Sequence, residues 1–194
     1  MAGRPLQTQP RPAARLVHEI HAGRAAEISA ESAGAEAVSV SRAILPALVV
    51  RPMTLDDLDE VLDIERASFI APWTPDLFVA EFGNPRSVKR VVTVGENGPV
   101  IGYVIFWIVL DEAHLMNVAV DEAFKRKGAA KLMLQKMIDE CAGRGVRYVT
   151  LEVRKSNEAA IELYLRFGFK MVGLRKNYYV HEHEDAIMME LEIS

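Results

Sequence analysis

The chain holds a single cysteine, Cys141, in 194 residues. One thiol excludes an intramolecular disulfide and any multi-cysteine metal site, and it fits a reducing, cytoplasmic setting. Cationic excess is missing as well. Lys and Arg number 23 against 27 Asp and Glu, a formal charge of −4, which argues against a nucleic-acid partner. No apolar run approaches the roughly 20 residues of a membrane helix. The longest spans Val100 to Leu110, so no membrane partner is expected, and no secretory signal is visible. Aromatic residues are absent before Phe69. The first 48 residues are rich in Ala, Arg, Ser and Pro, with Arg4, Arg11 and Arg15 but no acid before Val17. Such a segment has little to bury and reads as a disordered extension. An Arg-rich, acid-poor start is also how organelle transit peptides read.

What is present begins at Leu48, and one domain is expected over 49–194. Val49 to Pro52 reads as a strand, and Thr54 as the N-cap of a helix whose apolar positions are Leu58, Val61, Leu62 and Ile64. Pro72 and Pro75 interrupt it, and a second helix runs from Asp76 to Phe82. Three strands follow as a meander, Lys89 to Val94, Pro99 to Val109 and Ala113 to Val120, the first two joined by a turn at Glu96-Asn97-Gly98. Then come a helix over Lys127 to Ala142, a strand over Tyr148 to Arg154 and a helix over Glu158 to Phe167. Closing strands are expected at Tyr178 to Val180 and Ala186 to Ile193. The order predicts an α/β fold around one central sheet.

Two segments carry chemistry. In Thr150 to Phe169, Tyr148, Thr150 and Glu152 share one strand face. A carboxylate in mid-strand is costly unless solvated, paired or used. Asn157 opens the next helix, and Tyr164 lies seven positions on, on nearly the same face. A base, an amide and an acid in this order suit proton transfer. For Glu152 the plainer alternative is a surface pair with Arg154, and for Asn157 it is a helix cap.

The second segment is Lys125-Arg126-Lys127-Gly128-Ala129-Ala130-Lys131. A helix starting here offers unpaired N–H groups, the positive end of its dipole and several cations, a place for a pyrophosphate. It is neither a Walker loop nor a GxGxxG fingerprint. A basic helix start on a solvated surface explains the charge equally well.

Together these segments resemble the Gcn5-related N-acetyltransferase (GNAT) superfamily, whose phosphate loop reads Gln/Arg-x-x-Gly-x-Gly/Ala. Lys125 to Ala130 matches it except at the first position, where Lys125 stands. A closer resemblance, over Val49 to Ile193, is to the bacterial ribosomal-protein-alanine N-acetyltransferases of the RimI type. It is carried by Ala71-Pro72-Trp73, Asn117-Val118-Ala119-Val120, Leu151-Glu152-Val153-Arg154, Ser156-Asn157, Leu163-Tyr164, Asn177-Tyr178-Tyr179 and Glu184-Asp185-Ala186.

The resemblance implies a single-domain acyl-CoA N-acyltransferase fold with a mixed, mostly antiparallel sheet flanked by helices. It implies acetyl-CoA as donor and a protein N-terminus, the alanine of a small-subunit ribosomal protein, as acceptor. Glu152 would be the general base and Tyr164 the general acid. Arg126, Lys127, Gly128, Ala129, Ala130 and Lys131 would hold the cofactor's phosphates. The backbone of Val118, Ala119 and Val120 would pair with its pantetheine arm, and Asn157 would touch it. Loops bearing Trp73, Tyr178 and Tyr179 would shape the acceptor groove. The alternatives are acetylation of a small-molecule amine or a protein lysine, and a non-catalytic acyl-CoA-binding module. No metal is expected: His181, His183, Glu184 and Asp185 read as a polar loop, and Cys141 as a packed residue.

Overall fold

The computed structural model describes residues 47–180 and 182–193. The expected N-terminal extension lies outside them apart from its last two residues, and Leu48 already belongs to the first strand. His181 is outside them as well.

Strand β1 (Leu48–Pro52) leads into a short 3₁₀ turn at Leu55–Asp57, then α1 (Leu58–Ser68). Thr54 therefore stands before the turn, not at the head of α1. Asp57 organises this entry. Its carboxylate accepts from Thr54 N at 2.7 Å and from both Arg51 guanidinium nitrogens at 2.8 and 2.6 Å. That bidentate bond holds the Asp57 carboxyl below the usual carboxylate range. Helix α2 (Pro75–Gly83) begins on a proline, whose missing N–H goes unused in a first turn.

The meander follows as β2 (Ser87–Val94), β3 (Val100–Val109) and β4 (Glu112–Val120). The chain continues through α3 (Ala129–Gly143), β5 (Tyr148–Arg154), α4 (Glu158–Arg166), β6 (Lys170–Tyr179) and β7 (Glu184–Glu192). The seven strands form one sheet in the order β1-β2-β3-β4-β5-β7-β6. Only β4 and β5 run parallel. The expected mixed, mostly antiparallel sheet is thus present.

Helices cover both faces. On one, Met133, Met137 and Cys141 of α3 and Ile161 of α4 pack on Val104, Leu115 and Leu151. On the other, Val61, Leu62 and Ile64 of α1 and Phe78 of α2 pack on Val91, Tyr103 and Ile105. Gly102 lets α3 come close, since a Cβ there would lie 2.8 Å from Ala119 O and 3.2 Å from Met133 Cε.

Strand β6 is far longer than the Tyr178 to Val180 read from sequence, and it stops before Val180. It is an edge strand with one neighbour, β7. Met171, Val172 and Leu174 are about half exposed, so the in–out alternation that marks a packed strand is missing.

One irregularity creates the site. The parallel pairing of β4 with β5 covers only Glu112–Leu115 opposite Tyr148–Leu151. There β4 carries one extra residue against β3: Phe106 faces Leu115, Ile105 faces Asn117, and Met116 between them is unmatched. A bulge of this kind bends its strand. Past Met116, β4 stays with β3 and leaves β5, and a wedge opens in mid-sheet.

Candidate active site

On the α3–α4 face a cleft of about 490 Å³ lies against the wedge, bordered by Val120, Arg126, Gly128, Ala130, Lys131 and Arg166. Gly128 is the N-cap of α3 with φ 91°, in the left-handed region. A Cβ there would meet nothing within 4 Å, so the backbone conformation calls for glycine and space does not. The helix therefore starts at Ala129, two residues later than expected, and its first three residues line the cleft. Arg126 also has positive φ, 59°. Lys127 is not among the cleft residues; its Nζ lies 5.0 Å from the Phe124 ring centroid. Lys125, at the position where the superfamily has Gln or Arg, lines the cleft and pairs with Glu122. If this cleft takes the acetyl-CoA that the resemblance implies, replacing Gly128 with valine is expected to weaken its binding at least tenfold, because a β-branched residue resists φ > 0. Equilibrium acetyl-CoA binding checks this directly.

Val118, Ala119 and Val120 are buried by their side chains, as a core strand requires. Their backbone edge facing the wedge is the part not paired with β5. Tyr164 of α4 packs in the same cluster as Val118 and Val153, which flank the wedge. It is 1% exposed, with its ring 5.6 Å from that of Phe169. Its hydroxyl has no hydrogen-bond partner among the described residues. Burial, with a smaller contribution from Tyr179, pushes the phenol far above its ordinary range, so it remains a protonated donor. Asn157 does cap α4: its Oδ1 accepts from Ala160 N at 3.2 Å. Any contact it makes to a ligand falls to its Nδ2.

The opposite face of the wedge carries a second cleft of about 320 Å³, bordered by Trp107, His114, Thr150, Glu152, Arg175 and Tyr178. Glu152 and Tyr164 therefore approach the wedge from opposite faces. Glu152 is buried, with Oε2 2.9 Å from His114 Nε2 and Oε1 3.3 Å from an Arg175 nitrogen. The alternative partner Arg154 turns away, to Glu182 at 2.7 Å and over the Tyr179 ring at 4.2 Å.

Tyr178 reaches the cleft, whereas Tyr179 is buried behind it and meets Tyr178 edge-on at 5.4 Å. Trp73 is not brought to the cleft. It is buried against Phe78 at 5.4 Å, and its backbone N–H donates to Glu65 at 2.6 Å. Glu184 accepts from Ser156 N at 2.5 Å and Asp185 from Asn177 N at 2.9 Å, which occupies the carboxylates of the polar loop. Cys141 is fully buried, and burial pushes its thiol up to about 12.

Two residues of this cleft, His114 and Arg175, escape a reading of the sequence. His114 sits 36 positions before Thr150, and only the parallel register brings them together. Arg175 belongs to the exposed strand β6, which gives no periodic signal.

The chain belongs to the acetyltransferase (GNAT) family, whose model matches residues 58–169. It is 41% identical over 140 residues to the ribosomal protein bS18-alanine N-acetyltransferase of Escherichia coli strain K12, covering 71% of this chain and 93% of that protein. It is 40% identical over 144 residues to the enzyme of the same name from Salmonella typhimurium strain LT2, covering 73% and 95%. The crystal structure of the ribosomal-protein-S18-alanine N-acetyltransferase from Escherichia coli superposes with a TM-score of 0.70 at 37% identity, over 76% of this chain and 95% of that one.

Proposed function

We propose that this protein is an acetyl-CoA-dependent N-alpha-acetyltransferase whose acceptor is the N-terminal alanine of ribosomal protein bS18. The observation that carries this reading is the wedge between β4 and β5, with Glu152 in a cleft on one side and the Tyr164 hydroxyl buried on the other. The relatives named for this reaction support the choice of acceptor.

The donor side fits acetyl-CoA by the chemistry of its groups. The α3 N-terminus, Arg126, Lys131 and Arg166 suit phosphates. The unpaired backbone edge at Val118–Val120 suits an amide-bearing arm, and the partnerless Tyr164 hydroxyl suits a sulfur leaving group. Acetyl-CoA supplies the activated thioester.

An N-terminal amine, with a pKa of about 8, is mostly protonated near neutral pH. Glu152 takes that proton, and the freed electron pair attacks the thioester carbon as the C–S bond breaks. Tyr164 protonates the leaving thiolate. Per turnover one proton ends on the thiol and one goes to solvent. Arg175 steadies the Glu152 carboxylate, and Tyr178 walls the acceptor cleft. An enzyme acting on a ribosomal protein would work in the cytoplasm. Separately, no helix among the described residues is long and apolar enough to cross a membrane.

Peptides beginning with Ala and carrying an internal Lys, incubated with acetyl-CoA, are expected to gain one acetyl group at the N-terminus, located by fragment-ion mass spectrometry. Acetylation of the lysine alone would move the acceptor to a side-chain amine. Acetyl-CoA binding with no transfer to any peptide, to intact bS18 or to a polyamine would leave only a binding module.

A further inference from the structure

His114 stands opposite Thr150 in the short parallel pairing of the sheet, and Glu152 follows two residues later on the same face of β5. The imidazole therefore lies between two β5 side chains. Its Nδ1 is 2.8 Å from Thr150 Oγ1, and its Nε2 is 2.9 Å from Glu152 Oε2. The Thr150 hydroxyl also lies 3.4 Å from the Ala113 carbonyl, so its neighbours hold it against the ring. At 2.9 Å, Oε2 and Nε2 are close enough for a proton to pass from one to the other.

Exposure gives this pair a direction. The Glu152 side chain is 3% exposed and that of His114 33%. A proton taken up by Glu152 is shut off from bulk water, while the imidazole beside it opens into the acceptor cleft. Other charged or titratable groups face the pair: Glu112 on β4, Arg86, Arg175 and Tyr178 around the cleft, and Glu190 on β7 opposite Thr150, with Lys170 beyond it. All of them are unchanged in the variants below.

We propose that His114 is a positioning residue for the base: it fixes Oε2 of Glu152 and carries the acceptor's proton from Glu152 out to solvent. This rests on the reading of Glu152 as the base. An N–H bond of the ammonium breaks as an O–H bond forms on Glu152. That O–H bond breaks as an N–H bond forms on His114 Nε2, and the imidazolium releases the proton to water.

His114→Gln keeps a donor for Oε2 but cannot take a proton onward. It is expected to lower kcat about tenfold, with the KM for peptide and for acetyl-CoA within about twofold. His114→Ala is expected to lose at least as much and to regain turnover in proportion to added imidazole, while its thermal unfolding matches the parent. A merely structural histidine would give no such rescue. Wild-type kcat in His114→Gln, or a loss confined to KM, would overturn the proposal. Glu152→Gln separates the two claims. If it is inactive while His114→Gln is normal, only the role of His114 falls. If it retains full kcat, the reading of Glu152 falls first.

Discussion

Glu152→Gln is expected to lower kcat about a thousandfold while the KM for acetyl-CoA stays within about threefold. Glutamine has nearly the same shape, so the buried site on β5 stays filled and no cavity opens. The amide cannot accept the proton that must leave the ammonium before attack. The donor cleft lies on the opposite face of the sheet, so cofactor affinity has little reason to change. The lost charge leaves Arg175 without one carboxylate oxygen, but its side chain is 46% exposed and water can solvate it. Steady-state kinetics on an Ala-initiated peptide, with acetyl-CoA affinity measured separately, tests all of this. Unchanged turnover at saturation would remove Glu152 from the chemistry, and a defect in peptide KM alone would reduce it to binding.

Tyr164→Phe should move activity and stability in opposite directions. The hydroxyl is buried with no partner among the described residues, and such a group destabilises the fold. Its removal is expected to raise unfolding stability by about 1 kcal/mol, while the ring contact with Phe169 is retained. The same substitution removes the proton donor for the leaving thiolate, and kcat is expected to fall about a hundredfold. Burial keeps the phenol protonated across the working pH range, so it serves as a donor and not as a base. Urea unfolding read beside kcat gives the two signs. A loss of stability together with activity would make the hydroxyl a packing element. A gain of stability at full activity would make it dispensable.

The legible parts of the site are local in sequence. Asn157 caps α4, and Tyr164 lies two turns along the buried face, because a helix start and its period are written in neighbouring residues. Gly128 is legible as the residue before a helix start, but the left-handed conformation that delays α3 to Ala129 is not. Trp73 shows the limit of a local reading. A tryptophan between prolines looks like a groove residue, yet the buried Glu65 carboxylate holds its N–H and the ring packs inward on Phe78. Thr54 does act as an N-cap, but of the 3₁₀ turn that runs directly into α1, where Asp57 and Arg51 complete the arrangement. His114 and Arg175 depend on pairings between strands far apart in the chain. Strand β6 was hidden because an edge strand can leave Met171, Val172 and Leu174 in solvent.

The single surplus residue in β4 also reverses the phase of the strand. Before Met116 the odd-numbered residues Ala113 and Leu115 face the α3–α4 core, and after it the even-numbered Val118 and Val120 do. One strand thus serves two clients. In the proposed function its first half lends a side chain, His114, to the acceptor, and its second half lends an edge unpaired with β5 to the donor. Were the same residues paired in strict alternation with no bulge, Val118 and Val120 would turn out of their core. The enzyme's division of labour between its two substrates is thereby encoded as an interruption in a count of two.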